Sequence, residues 1–164
     1  MASRTAPWQP DQGAAVATRT AGALALVALA VIHVVDLPGT LGPDRLVGIG
    51  YFGIIAAAVV MSAALITRSH RLAWAAAAAV AMSAMGGYVL TRALPGGFLG
   101  DHADVGNWRC PLGIAALSVE SVIVLLAVLG AWQARSHAAN SAITASSASA
   151  GTAPAASPGG GYGY

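Results

Sequence analysis

The sequence contains no lysine, one cysteine and two phenylalanines. Charged side chains make up only 9% of its 164 residues, against about 25% in a soluble domain. So few charges do not cover a water-facing surface, and a soluble globular protein is excluded. With Cys110 alone, an intrachain disulfide, a zinc ribbon and a CxxCH haem attachment are ruled out. A lone thiol of this kind is expected to be a small, inert side chain. The eight basic residues are all arginine, and the net charge of +2 is spread between segments. The basic face or stripe that nucleic-acid binding needs is therefore missing. Also missing are Gly-x-Ser-x-Gly, a Walker loop and His-Glu-x-x-His, and no nucleophile stands at a persuasive spacing from a base. An enzyme is the third-ranked reading on these grounds. No cofactor is implied, since haem b would want two histidines facing across helices and only His33 lies within a span.

What is abundant is apolar sequence, 57% of the chain. It falls into four runs, 21–37, 46–66, 72–94 and 112–132. A bilayer core of about 30 Å is crossed by about 20 helical residues, so each run predicts a transmembrane helix. The first is followed by Asp36-Leu37-Pro38-Gly39 rather than an A-x-A-like cleavage site; it reads as an uncleaved span, stopped by Pro38 and Gly39. Residues 38–45 are expected to form a tight turn and 67–71 a short basic loop. The expected fold class is all-α, a four-helix transmembrane bundle over residues 20–135 with disordered N- and C-terminal tails. Residues 1–19 form a flexible N-terminal arm in this reading, with Ala14 to Thr20 open to an extension of the first span. Residues 136–164 form an Ala/Ser/Gly/Pro-rich tail with too little apolar surface to offset its ordering entropy. Its terminal Tyr162 and Tyr164 read as the end of a solvated linker.

Small residues suggest how the helices meet. Gly48, Gly50 and Gly53 on the second span, and Ala79, Ser83 and Gly87 on the third, would let backbones approach closely. Arginine placement predicts orientation. Arg4, Arg19, Arg68, Arg71 and Arg135 fall on the side of the termini, and Arg45, Arg92 and Arg109 on the other. Both termini are expected in the cytoplasm, with Trp74 and Trp132 at the inner interface and Trp108 at the outer one. Arg92, near the end of its span, is expected to snorkel to the interface.

Most of the groups of chemical interest then share the outer half. Counting inward along the helices, His33 lies about 6 Å deep, Tyr51 about 8 Å, Tyr88 about 9 Å and Glu120 about 13 Å. Glu120 is the one acid well inside an apolar segment. A charge at a helix centre costs about 2.5–3.5 kcal/mol on insertion scales. Gly113, Ala116 and Ala127 on the same helical face indicate that it looks into the bundle. The candidate polar pocket is Glu120, His33, Asp36, Tyr51, Tyr88 and Arg92, capped by the 95–109 loop. Glu120 either exchanges a proton or binds a ligand, or it fixes the packing through a hydrogen bond to Tyr51, Tyr88 or His33. A weaker alternative is a metal site from His33, Asp36, Asp101, His102 and Asp104, whose spacing matches no established metal motif.

The phrases GYVLTRALPG (87–96) and WRCPLGIAALSVES (108–121) resemble small four-helix membrane proteins of high-GC Gram-positive bacteria. The likeness covers roughly residues 20–132. It implies a four-helix fold and a plasma-membrane location, and it carries no catalytic role to any residue. The function expected is that of a small integral membrane protein, a non-enzymatic subunit or scaffold with an outer-leaflet polar pocket. The alternative is a proton-coupled or small-solute transport component with Glu120 as the exchanging acid. Four helices are few for a stand-alone transporter. The expected partners are therefore the lipid bilayer and a second copy or another membrane protein, with no nucleic acid.

Overall fold

The computed structural model describes residues 10–42, 45–67 and 71–151. Four helices follow in order: α1 (Pro10–Leu41), α2 (Arg45–Thr67), α3 (Arg71–Ala93) and α4 (Pro111–Gly151). Among the described residues there is no strand, only one isolated bridge between Phe98 and Asp101. The fold is an all-α four-helix bundle. Membrane-spanning apolar segments run over Gly13–Leu41, Arg45–Thr67, Arg71–Ala93 and Pro111–Gln133. Their outward faces are apolar, for example Leu24, Val27, Val31 and Val34 on α1 and Leu125, Val128 and Leu129 on α4. Only lipid suits so continuous an apolar exterior.

Within the bundle, the inward residues recur at alternating spacings of three and four. On α1 they are Gly22, Leu26, Leu29 and His33; on α2, Gly48, Ala58, Ser62 and Leu65 fit the same frame. On α3 they are Trp74, Ala77, Ala81, Ala84 and Thr91, and on α4 Glu120, Ile123 and Ala127. This seven-residue repeat is the geometry of helices crossing at about 20° with a left-handed twist. Alanine and glycine dominate it because lipid tails are as apolar as leucine, so association relies on close fit.

Trp74 is the largest piece of that fit, only 1% exposed. A Cβ added at Gly22 would meet its ring at 2.9 Å, and one at Gly130 would overlap it outright. The two glycines thus form the notch on α1 and α4 that receives the indole of α3. Ser62 Oγ donates to the Ala23 carbonyl at 3.1 Å and ties α2 to α1, while Gln133 Nε2 donates to Thr18 Oγ1 at 3.3 Å and ties α4 to α1.

Several expectations need correction. Pro38 does not stop the first helix, which continues to Leu41 with Pro38 inside it. Thr40 Oγ1 donates to the Asp36 carbonyl at 3.2 Å in this last turn, while the carbonyl that Pro38 leaves without its amide is that of Val34. The flexible arm expected over 1–19 is helical from Pro10, and residues 1–9 lie outside the described residues. α4 itself runs on to Gly151, past the expected boundary at 135. The run from Ala131 to Ala150 contains neither glycine nor proline and is rich in alanine, the best helix former. Residues 135–164 form a unit distinct from 1–134, and 152–164, with the Tyr162–Tyr164 pair, lie outside the described residues, as do 43–44 and 68–70.

The small-residue stripes also differ. Ala79 and Ser83 are exposed, and the packing stripe of α3 lies two to three positions earlier, on Ala77, Ala81 and Ala84. Gly48 does make a close approach, since a Cβ there would meet Leu41 at 2.7 Å, whereas Gly50 and Gly53 have open space. Trp74 is packed into the core of the bundle; Trp108 and Trp132 are exposed.

This packing generates a pair of opposed outcomes. Gly130→Ala overlaps the Trp74 ring and is expected to destabilise by about 1–3 kcal/mol, as overpacking does. Gly53→Ala meets nothing and is expected to stay within about 0.5 kcal/mol of the parent. Melting of the two variants in the same detergent decides the matter, and equal melting would show that the indole does not fill the notch.

Candidate polar cavity beneath the 94–110 loop

All six candidate pocket residues line one cavity of about 230 Å³. α1 contributes Ile32, His33 and Asp36, α2 Gly50, Tyr51 and Ile54, α3 Ser83, Gly87, Tyr88 and Arg92, and α4 Gly113, Ala116 and Glu120; Phe98, Leu99, Asp101 and Asp104 reach in from the loop. The void arises where the seam residues are small. At the Trp74 end the indole fills the space between helices; here Gly50 and Gly87 have nothing within 4 Å of a Cβ position.

Arg92 holds the roof. It is 7% exposed and turned inward, not snorkelled to the interface. Its Nη2 pairs with Asp104 Oδ2 at 3.0 Å, its Nε donates to the Asn107 carbonyl at 3.0 Å, and its Nη1 donates to Thr91 Oγ1 at 2.7 Å. The guanidinium carbon lies 3.8 Å from the centre of the Tyr88 ring, a cation–π contact. The Arg92 carbonyl accepts the Gly106 amide at 3.0 Å, and Tyr88 OH donates to the Trp108 carbonyl at 3.0 Å. One arginine thereby ties the loop to α3 through both its side chain and its own carbonyl. Asp101 Oδ1 accepts the Asp104 amide at 3.1 Å, closing a tight turn. Leu99 sits at φ 55°, a left-handed conformation that costs a leucine roughly 1–3 kcal/mol and collects at functional sites.

Across the cavity, Tyr51 OH donates to Asp36 Oδ2 at 2.9 Å, and its ring meets the His33 ring edge-on with centroids 4.8 Å apart. His33 Nδ1 lies 3.0 Å from the Leu29 carbonyl. A carbonyl only accepts, so Nδ1 carries the proton and Nε2 keeps a free lone pair when the ring is neutral.

Glu120 is 1% exposed, and its Oε2 is buried with no hydrogen-bond partner. The three groups that could have fixed it by a helix-to-helix bond are engaged elsewhere: Tyr51 with Asp36, Tyr88 with Trp108, and His33 through Nδ1 with Leu29. The packing role considered for this carboxyl therefore has no bond to carry it. A buried unpartnered oxygen loses its hydration without replacement, at a cost of about 1–3 kcal/mol or more.

The metal alternative loses its geometry. Among the described residues no three His, Cys, Asp or Glu side chains group as a metal site. Asp36 is held by Tyr51 and Asp104 by Arg92, while His102 points out of the loop as an exposed residue. Asp101 and Asp104, expected only in the metal alternative, line the cavity as structural members of the loop, and Thr91 and Asn107, which the sequence reading left out, hold Arg92. Their signal was the polar run 101–109 facing an arginine one loop away.

Nothing among known proteins places the chain: no family model matches it, and no curated protein or solved structure does either.

The roof has a direct test. Asp104→Asn removes the charge partner of Arg92 and is expected to speed amide hydrogen exchange at Gly106, Asn107 and Trp108 at least tenfold. Exchange at Ala77–Ala84 in the packed part of α3 should stay unchanged. Uniform acceleration over both regions would mean that the pair supports the whole bundle and not the loop.

Proposed function

We propose that this is a non-enzymatic integral membrane protein whose loop-capped cavity binds a small polar solute against Glu120. The observation that carries the proposal is the unpartnered Oε2 of a fully buried carboxyl inside an open volume. Acids in membrane helices mark ligand or ion sites by default, and an uncompensated one imposes a stability cost that a binding role explains. The cavity is small for a ligand site, which commonly measures about 300–1,000 Å³. It suits a solute of roughly the volume of seven or eight waters, at about 30 Å³ each.

A second reading, a proton-coupled or small-solute transport component, draws on one further feature. His33, with its free Nε2, lines the same cavity as Glu120, so an acid and a base border one volume. In that reading Glu120 exchanges the proton. Proton flux into proteoliposomes that disappears in Glu120→Gln, with folding intact, would select transport over static binding.

Stability separates a binding acid from a structural one. Glu120→Leu places an apolar group where an unpaired oxygen lies and is expected to leave melting unchanged or raise stability by about 1–3 kcal/mol. Glu120→Gln should melt close to the parent. If Glu120→Leu unfolds the protein while Glu120→Gln is tolerated, the carboxyl is structural and the binding proposal fails.

The location completes the proposal: the plasma membrane, with both termini in the cytoplasm and the 94–110 loop outside. Cys110, half-buried at the start of α4 and the chain's sole thiol, reports on it. A membrane-impermeant maleimide should label Cys110 in intact cells, and labelling only after lysis would invert the orientation.

A further inference from the structure

We infer that the solute is an organic ammonium ion, a small amine with an apolar body; this rests on the binding reading above and names its chemistry. The cavity lining carries four carboxylates, Asp36, Asp101, Asp104 and Glu120, against one guanidinium, Arg92. That guanidinium is already committed to Asp104 and to the loop. Asp36 receives the Tyr51 hydroxyl and Asp101 the Asp104 amide. Glu120 Oε2 is left as the buried carboxylate oxygen with nothing donating to it. It needs a donor, and the surrounding charge selects a positive one. An anionic solute would enter a volume already dominated by acids, and like-charge repulsion is strong where water is scarce. A bare metal ion would find too few ligands, since no three metal-binding side chains group among the described residues. An ammonium supplies up to three N–H donors and a full charge, and a charge-assisted bond to a carboxylate is about twice as strong as a neutral one.

The rest of the lining agrees with that choice. The aromatic residues Tyr51 and Phe98 line the cavity, and aromatic rings attract cations. Ile32, Val47, Ile54 and Leu112 line the same volume and offer contact to a short apolar body. An ammonium head at Glu120 with such a body fills about 230 Å³ without leaving a buried polar group unmatched.

The test uses the full chain in phosphatidylglycerol nanodiscs, with benzylammonium, benzyl alcohol and benzoate as probes of one shape and three charges. Benzylammonium should raise the melting temperature and bind at least tenfold more tightly than benzyl alcohol, and benzoate should not bind. Glu120→Gln should melt near the parent and lose that preference to within twofold. Gly87→Leu, which keeps Glu120 and fills the cavity from a position with open space, should block benzylammonium. It keeps the test decisive if Glu120→Gln fails to fold. Adding phosphatidylethanolamine separates the two sources of the ammonium. A Glu120-dependent rise in melting with that lipid alone assigns the ammonium to a lipid head group, and no rise assigns it to a free amine; either result upholds the class. Equal binding of benzyl alcohol and benzylammonium would overturn the ammonium assignment and leave the binding reading standing. Failure of all three probes, or benzylammonium binding that survives Gly87→Leu, would overturn both.

Discussion

Helices inside a bilayer gain little by exchanging lipid for one another, because the hydrocarbon around them is already apolar. Every other feature of this bundle depends on that constraint. Burial of leucine does not hold the helices together; shape does, helped by a few polar bonds. Where the shapes match, as at Trp74 between Gly22 and Gly130, the seam is solid. Where small residues border the cavity and no large ring enters, as at Gly50, Ser83 and Gly87, a void remains. The same small residues that permit close packing therefore also create the cavity, and the side chains opposite decide which of the two results.

The ionisable side chains gather at one end, around the cavity. The loop above them must find partners for the backbone groups it packs against the helices. Arg92 meets that need by folding inward to Asp104, Asn107 and the Tyr88 ring. Its engagement fixes the roof and uses up the cavity's positive charge. Glu120, one helix away, is thereby left without a counterion. The arginine and the glutamate are not partners, and the structure of the loop is what keeps them apart.

The spans themselves were legible from hydropathy: α2, expected over 46–66, runs over Arg45–Thr67, and α3, expected over 72–94, over Arg71–Ala93. Depth along each helix placed His33, Tyr51, Tyr88 and Glu120 at one end, because 1.5 Å per residue is a rigid ruler. Direction around the helix was harder to read. Ala79, Ser83 and Gly87 are as small as Ala77, Ala81 and Ala84, and in a uniformly apolar helix no amphipathic contrast tells the two stripes apart. The position of Trp74 in the three-four repeat would have. Arg92 was misjudged because a long side chain near a helix end can reach water or fold back, and only its loop partners decide. The extension of α4 was missed because alanine and serine serve both linkers and helices.

The contrast between the two ends has a mechanical meaning. The indole of Trp74 wedges three helices at one end, while at the other the helices are spaced by side chains around an open volume. A rigid rod held at one end moves least there and most at its free tip. If the cavity takes up a solute as proposed, the widening is expected to be a splaying of rods about the tryptophan as fulcrum, with the 94–110 loop travelling farthest.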